Sequence, residues 1–373
     1  MTVLGTRPEI IRLSRVMAKL DSFTEHVVVH TGQNYDYELN EVFFEEMGIR
    51  QPDVFLNVDP SSLGSVLGNI LINIEKVLVE HMPDAIVILG DTNSSIAGII
   101  AKRFKIPIYH MEAGNRSFDQ NVPEEVNRKI IDHIADFNLV YTEHARRHLL
   151  SEGLPHRRIV LTGSPMKEVL EHYGKQIAES DILEREGLVA KKYFVVSMHR
   201  EENVDNPTHL QELINSLVSV HNHYKIPILV STHPRTKNRI EALSTFVEHK
   251  GITFAKPFGF FDYNKLQKDA FCVLSDSGTI TEEASLLQFP AVTIRRSMER
   301  PEGLDTGSIM LTGLTSNVIL QGIHIVTEQL LNGDPPPVPN DYCVNNVSER
   351  VLKLIVGTAT LSNDWCGVRK HDG

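Results

Sequence analysis

AIVILGDTNSSIAGIIAKRFKIPIYH, residues 85–110, reads as one unit of a repeating fold. An apolar run, Ala85–Leu89, closes on Gly90. A polar patch, DTNSS at 91–95, leads into an amphipathic stretch of helical length from Ser94 to Phe104, and a second apolar run, IPIYH, follows at 106–110. Near-continuous apolar strands are covered on both faces, which is the mark of a parallel sheet with helical crossovers. The same alternation extends outward, with strands in MTVLG, HVVVH (26–30) and RIVLTG (158–163), and helical spacing over Glu9–Leu20, Ser62–Glu80 and Glu124–His133. A second series follows: YFVVSM (193–198), IPILVST (226–232), ITFAK (252–256), FCVLSD (271–276) and PAVTIR (290–295). The pattern predicts an α/β chain of two doubly wound, Rossmann-like domains. Their expected spans are 1–165 and 166–345, with the charged, helix-prone Met166–Lys192 opening the second and the proline-rich GDPPPVPND (333–341) near its end.

At 373 residues the chain is long enough for two ordinary cores. Asp plus Glu number 48 against 37 Lys plus Arg, a net charge of −11 that argues against a nucleic-acid partner. Cys272, Cys343 and Cys366 are odd in number and far apart, which argues against a disulfide framework or a thiolate metal site. No apolar run approaches the roughly 20 residues of a membrane span, and the opening residues lack a signal-peptide pattern, so a cytoplasmic protein is expected.

In open α/β sheets ligands bind beyond the carboxyl ends of the strands, and polar chemistry fills those positions here. After the first strand comes GTRPEIIR, where Gly5 allows a tight turn, Arg7 offers a guanidinium and Pro8 suits a first helical turn. It is either an anion site or an ordinary turn with a surface arginine. Asp91 is either a site residue or a helix cap. MEAGNRSFDQNVPEEVNRKIIDH, 111–133, crowds Glu112, Glu124 and Arg128 directly after a strand, as either one wall of a site or an idle surface loop. In DSGTITEEAS (276–285), Ser277, Gly278 and Thr279 at a helix start offer hydroxyls and free backbone N–H groups to a diphosphate-like anion, which Gly278 lets approach. Glu283 then suits the vicinal hydroxyls of a ribose, although Glu282 and Glu283 also fit as first-turn carboxylates favoured by the helix dipole. In SMHREEN (197–203), His199 is either a proton donor beside that anion or a structural histidine; His233 in STHPR is read as structural.

These residues carry a resemblance. GTRPE, GDT (90–92), EAG (112–114), PEEVNR (123–128), TGSP (162–165), HRE (199–201), DSG (276–278), EE (282–283) and ERPE (299–302) resemble, in order and spacing, the non-hydrolysing UDP-N-acetylglucosamine 2-epimerases. The resemblance implies the two-domain GT-B architecture, its domains facing across a cleft, with UDP held by the C-terminal domain and the last helix, about 346–373, returning to the N-terminal one. It places Arg7, Arg12, His199, Ser277, Gly278 and Thr279 around the diphosphate, Glu283 on the ribose, and Asp91, Glu112 and Glu124 near the sugar, with Arg128 positioning or neutralising them. His199 also assists departure of the phosphate. It further implies a homodimer acting on a UDP-sugar with neither metal nor cofactor. The route implied is elimination of UDP to a 2-acetamidoglycal and re-addition with protonation from the other face.

Where many members have a QHREM-like stretch, this chain has QNYDYEL at 33–39, which puts in doubt the allosteric nucleotide-sugar site some relatives build there. HTGQNYDYELNEVFF and MEAGNRSFDQNVPEE resemble a subgroup in capsule and O-antigen synthesis. That subgroup converts UDP-2-acetamido-2,6-dideoxy-L-talose to UDP-N-acetyl-L-fucosamine. A UDP-GlcNAc/UDP-ManNAc 2-epimerase, a hydrolysing 2-epimerase and a GT-B glycosyltransferase are the alternatives.

Overall fold

The computed structural model describes residues 1–32, 43–243 and 249–368. The QNYDYEL stretch therefore lies outside the described residues. The chain forms two compact units, one of Met1–His172 with Asn340–Gly373 and one of Tyr173–Pro339. Each is built on a parallel sheet, as the apolar runs predict.

The strands of the first unit are β1 (Thr2–Leu4), β2 (Val28–His30), β3 (Val54–Phe55), β4 (Ile86–Leu89), β5 (Ile108–Met111), β6 (Phe137–Val140) and β7 (Ile159–Leu161). They lie in the order β3-β2-β1-β4-β5-β6-β7. On one face Val3, Val29, Ile86, Ile88 and Ile108 pack against Ile70, Ile74 and Val77 of the helix Leu63–His81. That helix keeps a stripe of apolar positions three and four residues apart, starts at Ser62, whose Oγ accepts from Ser65 N (3.0 Å), and stops at a left-handed Met82. The helix Val347–Trp365 packs against the helix Arg7–Phe23 of this same unit.

The second unit holds β8 (Phe194–Ser197), β9 (Ile228–Ser231), β10 (Ile252–Ala255), β11 (Cys272–Ser275), β12 (Ala291–Thr293) and β13 (Met310–Leu311), ordered β10-β9-β8-β11-β12-β13. Successive side chains alternate between two cores. Phe194 and Val196 meet Leu213 and Leu217 on one side, while Val195 meets Leu266 and Phe289 on the other.

Both strand orders reverse at one place, between β1 and β4 in the first sheet and between β8 and β11 in the second. At such a switch point neighbouring strands send their connections in opposite directions and a crevice opens at their carboxyl ends. GTRP and GDT follow β1 and β4; SMHREE and DSGT follow β8 and β11. Four of the motifs picked out from the sequence thus border the two switch points.

Candidate active site

In the first unit, β4 ends at Gly90, whose φ of +69° turns the chain outward into Asp91 and Thr92. Thr92, not Asp91, caps the following turn: its Oγ1 accepts from Ser94 N at 3.2 Å. Asp91 is left for another task, and its carboxylate is gripped by Arg128, with Nε to Oδ2 at 2.8 Å and a second contact from Nη2. Arg128 projects from the helix Glu124–Ile134 and also donates from Nη1 to Glu125 at 2.5 Å. Glu125, 1% exposed, accepts in addition from the N–H and hydroxyl of Ser117 at 3.2 and 3.0 Å. Asn127 completes the frame by donating to the Asp91 carbonyl at 3.0 Å.

One strand over, β5 runs into Glu112, held at φ +62°. That left-handed conformation is costly for a residue with a Cβ. The next turn is fixed by Asp132, whose two carboxylate oxygens accept from Gly114 N at 3.2 Å and which pairs with Arg116 at 2.7 Å. Glu112 pairs with Arg12, a guanidinium only 3% exposed that also lies 5.8 Å from the Tyr141 ring centre. Arg12, expected on the phosphate side, is thus found on a carboxylate expected at the sugar. Arg7 opens its helix with the guanidinium 5.2 Å from the Phe43 ring centre. Glu124 is half-buried at the start of its helix.

In the second unit the buried carboxylate of Asp276 spans the switch point. It accepts from the N–H groups of His199 (3.0 and 3.1 Å) and Arg200 (3.1 Å) and from Asn203 Nδ2 (3.1 Å). The His199 ring is 45% exposed, with Nδ1 3.4 Å from both Asp276 and Ser197 Oγ. Ser277 and Thr279 hydroxyls lie 3.0 Å apart. The backbone N–H groups of Ser277 and Thr279, expected to be free for an anion, are not free. The Ser277 N–H donates to Ser275 Oγ (3.0 Å) and that of Thr279 to Ser277 Oγ (3.3 Å), so these two backbone donors are already bonded within the turn. Short polar side chains after a strand fold back on their own backbone, which the motif alone does not reveal. Gly278 has a second reason to be glycine, since a Cβ would lie 2.6 Å from Glu299 Oε1. Glu299 is in turn neutralised by Arg200 (2.8 Å) and Arg295 (2.6 Å). Glu283, 8% exposed, accepts from Gln267 at 2.8 Å, and Glu282 lies 3.3 Å from Arg300. His233 caps the helix Pro234–Glu241 by accepting from Arg235 N at 3.3 Å, a structural role as expected.

Sequence reasoning missed Glu125, Asn127, Gln267 and Glu299. It also passed over Glu9, although Thr6-Arg7-Pro8-Glu9 has the spacing of a capping box. Among the described residues no group of three or more His, Cys, Asp or Glu side chains is placed to hold a metal ion, and no helix is long and apolar enough to cross a membrane.

Two parallel-sheet units with charged networks at their switch points define a doubly wound α/β protein whose ligand sites lie at the carboxyl ends of its strands, and comparison with known proteins narrows the class. The family model of UDP-N-acetylglucosamine 2-epimerase matches residues 18–356. The UDP-N-acetylglucosamine 2-epimerase of Methanocaldococcus jannaschii is 36% identical over 95% of this chain and 97% of its own. The UDP-2,3-diacetamido-2,3-dideoxy-D-glucuronate 2-epimerase of Pseudomonas aeruginosa is 30% identical over 95% of this chain and 99% of its own. Among solved structures, UDP-N-acetylglucosamine 2-epimerase from Rickettsia bellii superposes with a TM-score of 0.92 at 48% identity, covering 99% of each chain. The chain belongs to the UDP-N-acetylglucosamine 2-epimerase family and is an isomerase of that kind.

Proposed function

We propose that the protein inverts C2 of a UDP-N-acetyl sugar by eliminating UDP and adding it back. The observation carrying this reading is that carboxylates at two adjacent strand ends, Asp91 and Glu112, are each held by a buried arginine, Arg128 and Arg12. Fixed carboxylates suit proton transfer at an unactivated C–H, which a mobile surface carboxylate does not. A carboxylate takes the C2 proton as the C1–O bond to UDP breaks, giving a 2-acetamidoglycal and free UDP in the site. A second acid/base group then protonates C2 from the opposite face while the UDP oxygen re-forms the bond at C1. Asp91, Glu112 and Glu124 supply these groups, with Arg128 and Arg12 fixing the first two. Arg7, His199 and the hydroxyls of Ser277 and Thr279 receive the departing phosphate charge, with Gly278 between those hydroxyls. Glu283, oriented by Gln267, holds the uridine ribose.

The sugar we propose is the 6-deoxy one, UDP-2-acetamido-2,6-dideoxy-L-talose, converted to UDP-N-acetyl-L-fucosamine, on the resemblance of the 30–44 and 111–125 stretches to that subgroup. Reaction on UDP-N-acetylglucosamine is the second reading, favoured by the names of the archaeal and rickettsial relatives. The Pseudomonas relative, at 30% identity, is named for a third sugar, so similarity at this level does not choose between them.

Incubation with each UDP-sugar in deuterated water, followed by NMR, tests both parts. Deuterium at C2 of both epimers is expected with the 6-deoxy-L-talo substrate. Turnover confined to UDP-N-acetylglucosamine would shift the reading to the second sugar, and irreversible release of UDP would shift it to a hydrolysing enzyme. Asp91→Asn, Glu112→Gln and Glu124→Gln should each lower turnover ~100- to 10,000-fold while sparing UDP affinity in calorimetry.

A further inference from the structure

Glu9 is 1% exposed and, among the described residues, has no cationic partner. Its carboxylate is nonetheless fully engaged. Oε2 accepts from the N–H of Gly5 (2.8 Å) and of Thr6 (2.7 Å), and Oε1 accepts from the hydroxyl of Thr92 (2.8 Å). Capping the helix Arg7–Phe23 explains the bond to Thr6 alone. The bond to Gly5 pins the same loop one residue earlier, and the bond to Thr92 reaches across the β1/β4 switch point, where the two loops would otherwise diverge. One loop leads into Arg7 and the other carries Asp91 immediately before Thr92. The Thr92 hydroxyl is used in both directions, donating to Glu9 and accepting from Ser94 N (3.2 Å), so its rotor is fixed.

We infer that Glu9 is a positioning residue for the epimerisation, a buried carboxylate clamp that sets Asp91 through Thr92 while fixing the loop that leads into Arg7. The inference rests on the acid/base role of Asp91 given above. A side chain that served only to cap the helix would not need the bond to Thr92. Burial of a carboxylate that has hydrogen bonds but, among the described residues, no cationic partner, which raises its pKa to about 7, is a cost that capping alone does not require. Asp276 makes an analogous bridge across the second sheet's switch point, so each unit ties its switch-point loops together with a buried carboxylate.

The test uses the full chain with Thr92→Val, Glu9→Ala, Glu9→Gln and Asp91→Asn, following kcat, KM, C2 deuterium incorporation and UDP affinity. Thr92→Val keeps shape and removes only the hydroxyl. It should lower kcat ~10-fold with KM and UDP affinity within ~2-fold, because small displacements of a reacting group cost rate rather than binding. Glu9→Ala should lose at least as much. Glu9→Gln should rescue most of that loss, since an amide oxygen accepts from Gly5 and Thr6 while its NH2 donates to Thr92. Wild-type kcat in Thr92→Val, with Asp91→Asn inactive, would overturn the clamp and leave the acid/base reading standing; this holds even if Glu9→Ala does not fold. Full activity in Asp91→Asn would instead overturn the reading on which the clamp depends. A Glu9→Gln protein as inactive as Asp91→Asn would make Glu9 a proton-transfer group and overturn the positioning role.

Discussion

At the scale of single residues, Arg128 carries two tasks that separate experimentally. Its guanidinium bonds the half-buried Asp91 and the buried Glu125 at once, a geometry only a planar fork supplies. Arg128→Met should abolish measurable turnover and also lower stability by roughly 3–5 kcal/mol, because Glu125 is left as an uncompensated buried charge. Adding Glu125→Gln should restore much of the stability in urea titrations and none of the activity. Glu9 makes a prediction about pH. Burial raises its carboxyl to about 7, against the lowering effect of hydrogen bonds from Thr92, Gly5 and Thr6, whereas the unfolded chain's titrates near 4.5. Between those values the folded chain keeps a proton the unfolded chain has released, so this group's stabilisation is present below about 4.5 and is lost as pH rises toward about 7. The wild type's stability relative to Glu9→Gln should therefore be greater at about pH 5 than at about pH 7.5, checked by urea unfolding of both proteins. The sequence pointed to Asp91, Glu112 and Arg128 because they follow apolar runs, but it did not show that Glu125 would be the buried neighbour in PEEV. Glu124 and Glu125 stand four and three residues before Arg128, and both spacings put a carboxylate near it on a helix. Only the phase of the helix against the sheet decides which one turns inward.

At the scale of elements, the apolar runs located ten of the strands, while β3, β6 and β13 went unread. β3 and β13 are two residues each and carry almost no periodic signal. β6, FNLV, contains Asn138, a polar residue that breaks the apolar run. Its side chain is buried and donates to the Asp132 carbonyl at 2.9 Å, so the break in pattern reflects a bond unseen in the sequence. The turns after the strands are similarly set by tertiary contact. Gly114 has φ +81°, and a Cβ there would lie 2.4 Å from the carbonyl oxygen of Ala145. Gly153 has a similar φ of +86° with nothing within 4 Å of a Cβ. Gly153→Ala should therefore cost only the conformational penalty, ~1 kcal/mol, and Gly114→Ala at least ~2 kcal/mol, since backbone must move as well. Gly114→Ala should additionally impair turnover, because the displaced turn begins at Glu112. Thermal unfolding and kcat of the two variants measure the contrast.

At the scale of the whole molecule, the first unit is assembled from two separated stretches of chain. The late helix Val347–Trp365 supplies Thr358 to Tyr109 (2.6 Å) and Ser362 to Arg158 (2.9 Å), and Asn363 donates to the Lys105 carbonyl at 2.8 Å. Trp365 and Phe137 flank the Arg158 guanidinium, at 5.8 and 4.8 Å from their ring centres. A chain ending at Asn346 loses all of these together. Hydrogen exchange should show β5, β6 and β7 deprotected while β8 to β12 retain their protection; uniform loss in both units would contradict that assignment. The same discontinuity dictates a timetable during translation. Roughly 170 residues of the second unit separate the two stretches, so at ribosomal speed the early sheet waits on the order of ten seconds or more for its covering helix. The uninterrupted second unit can complete itself first, which reverses the order in which the two were begun. Throughout that interval the nascent first sheet exposes the surface around Tyr109 and Phe137, making it the stage at which a chaperone or a stalled ribosome would have the greatest effect on yield.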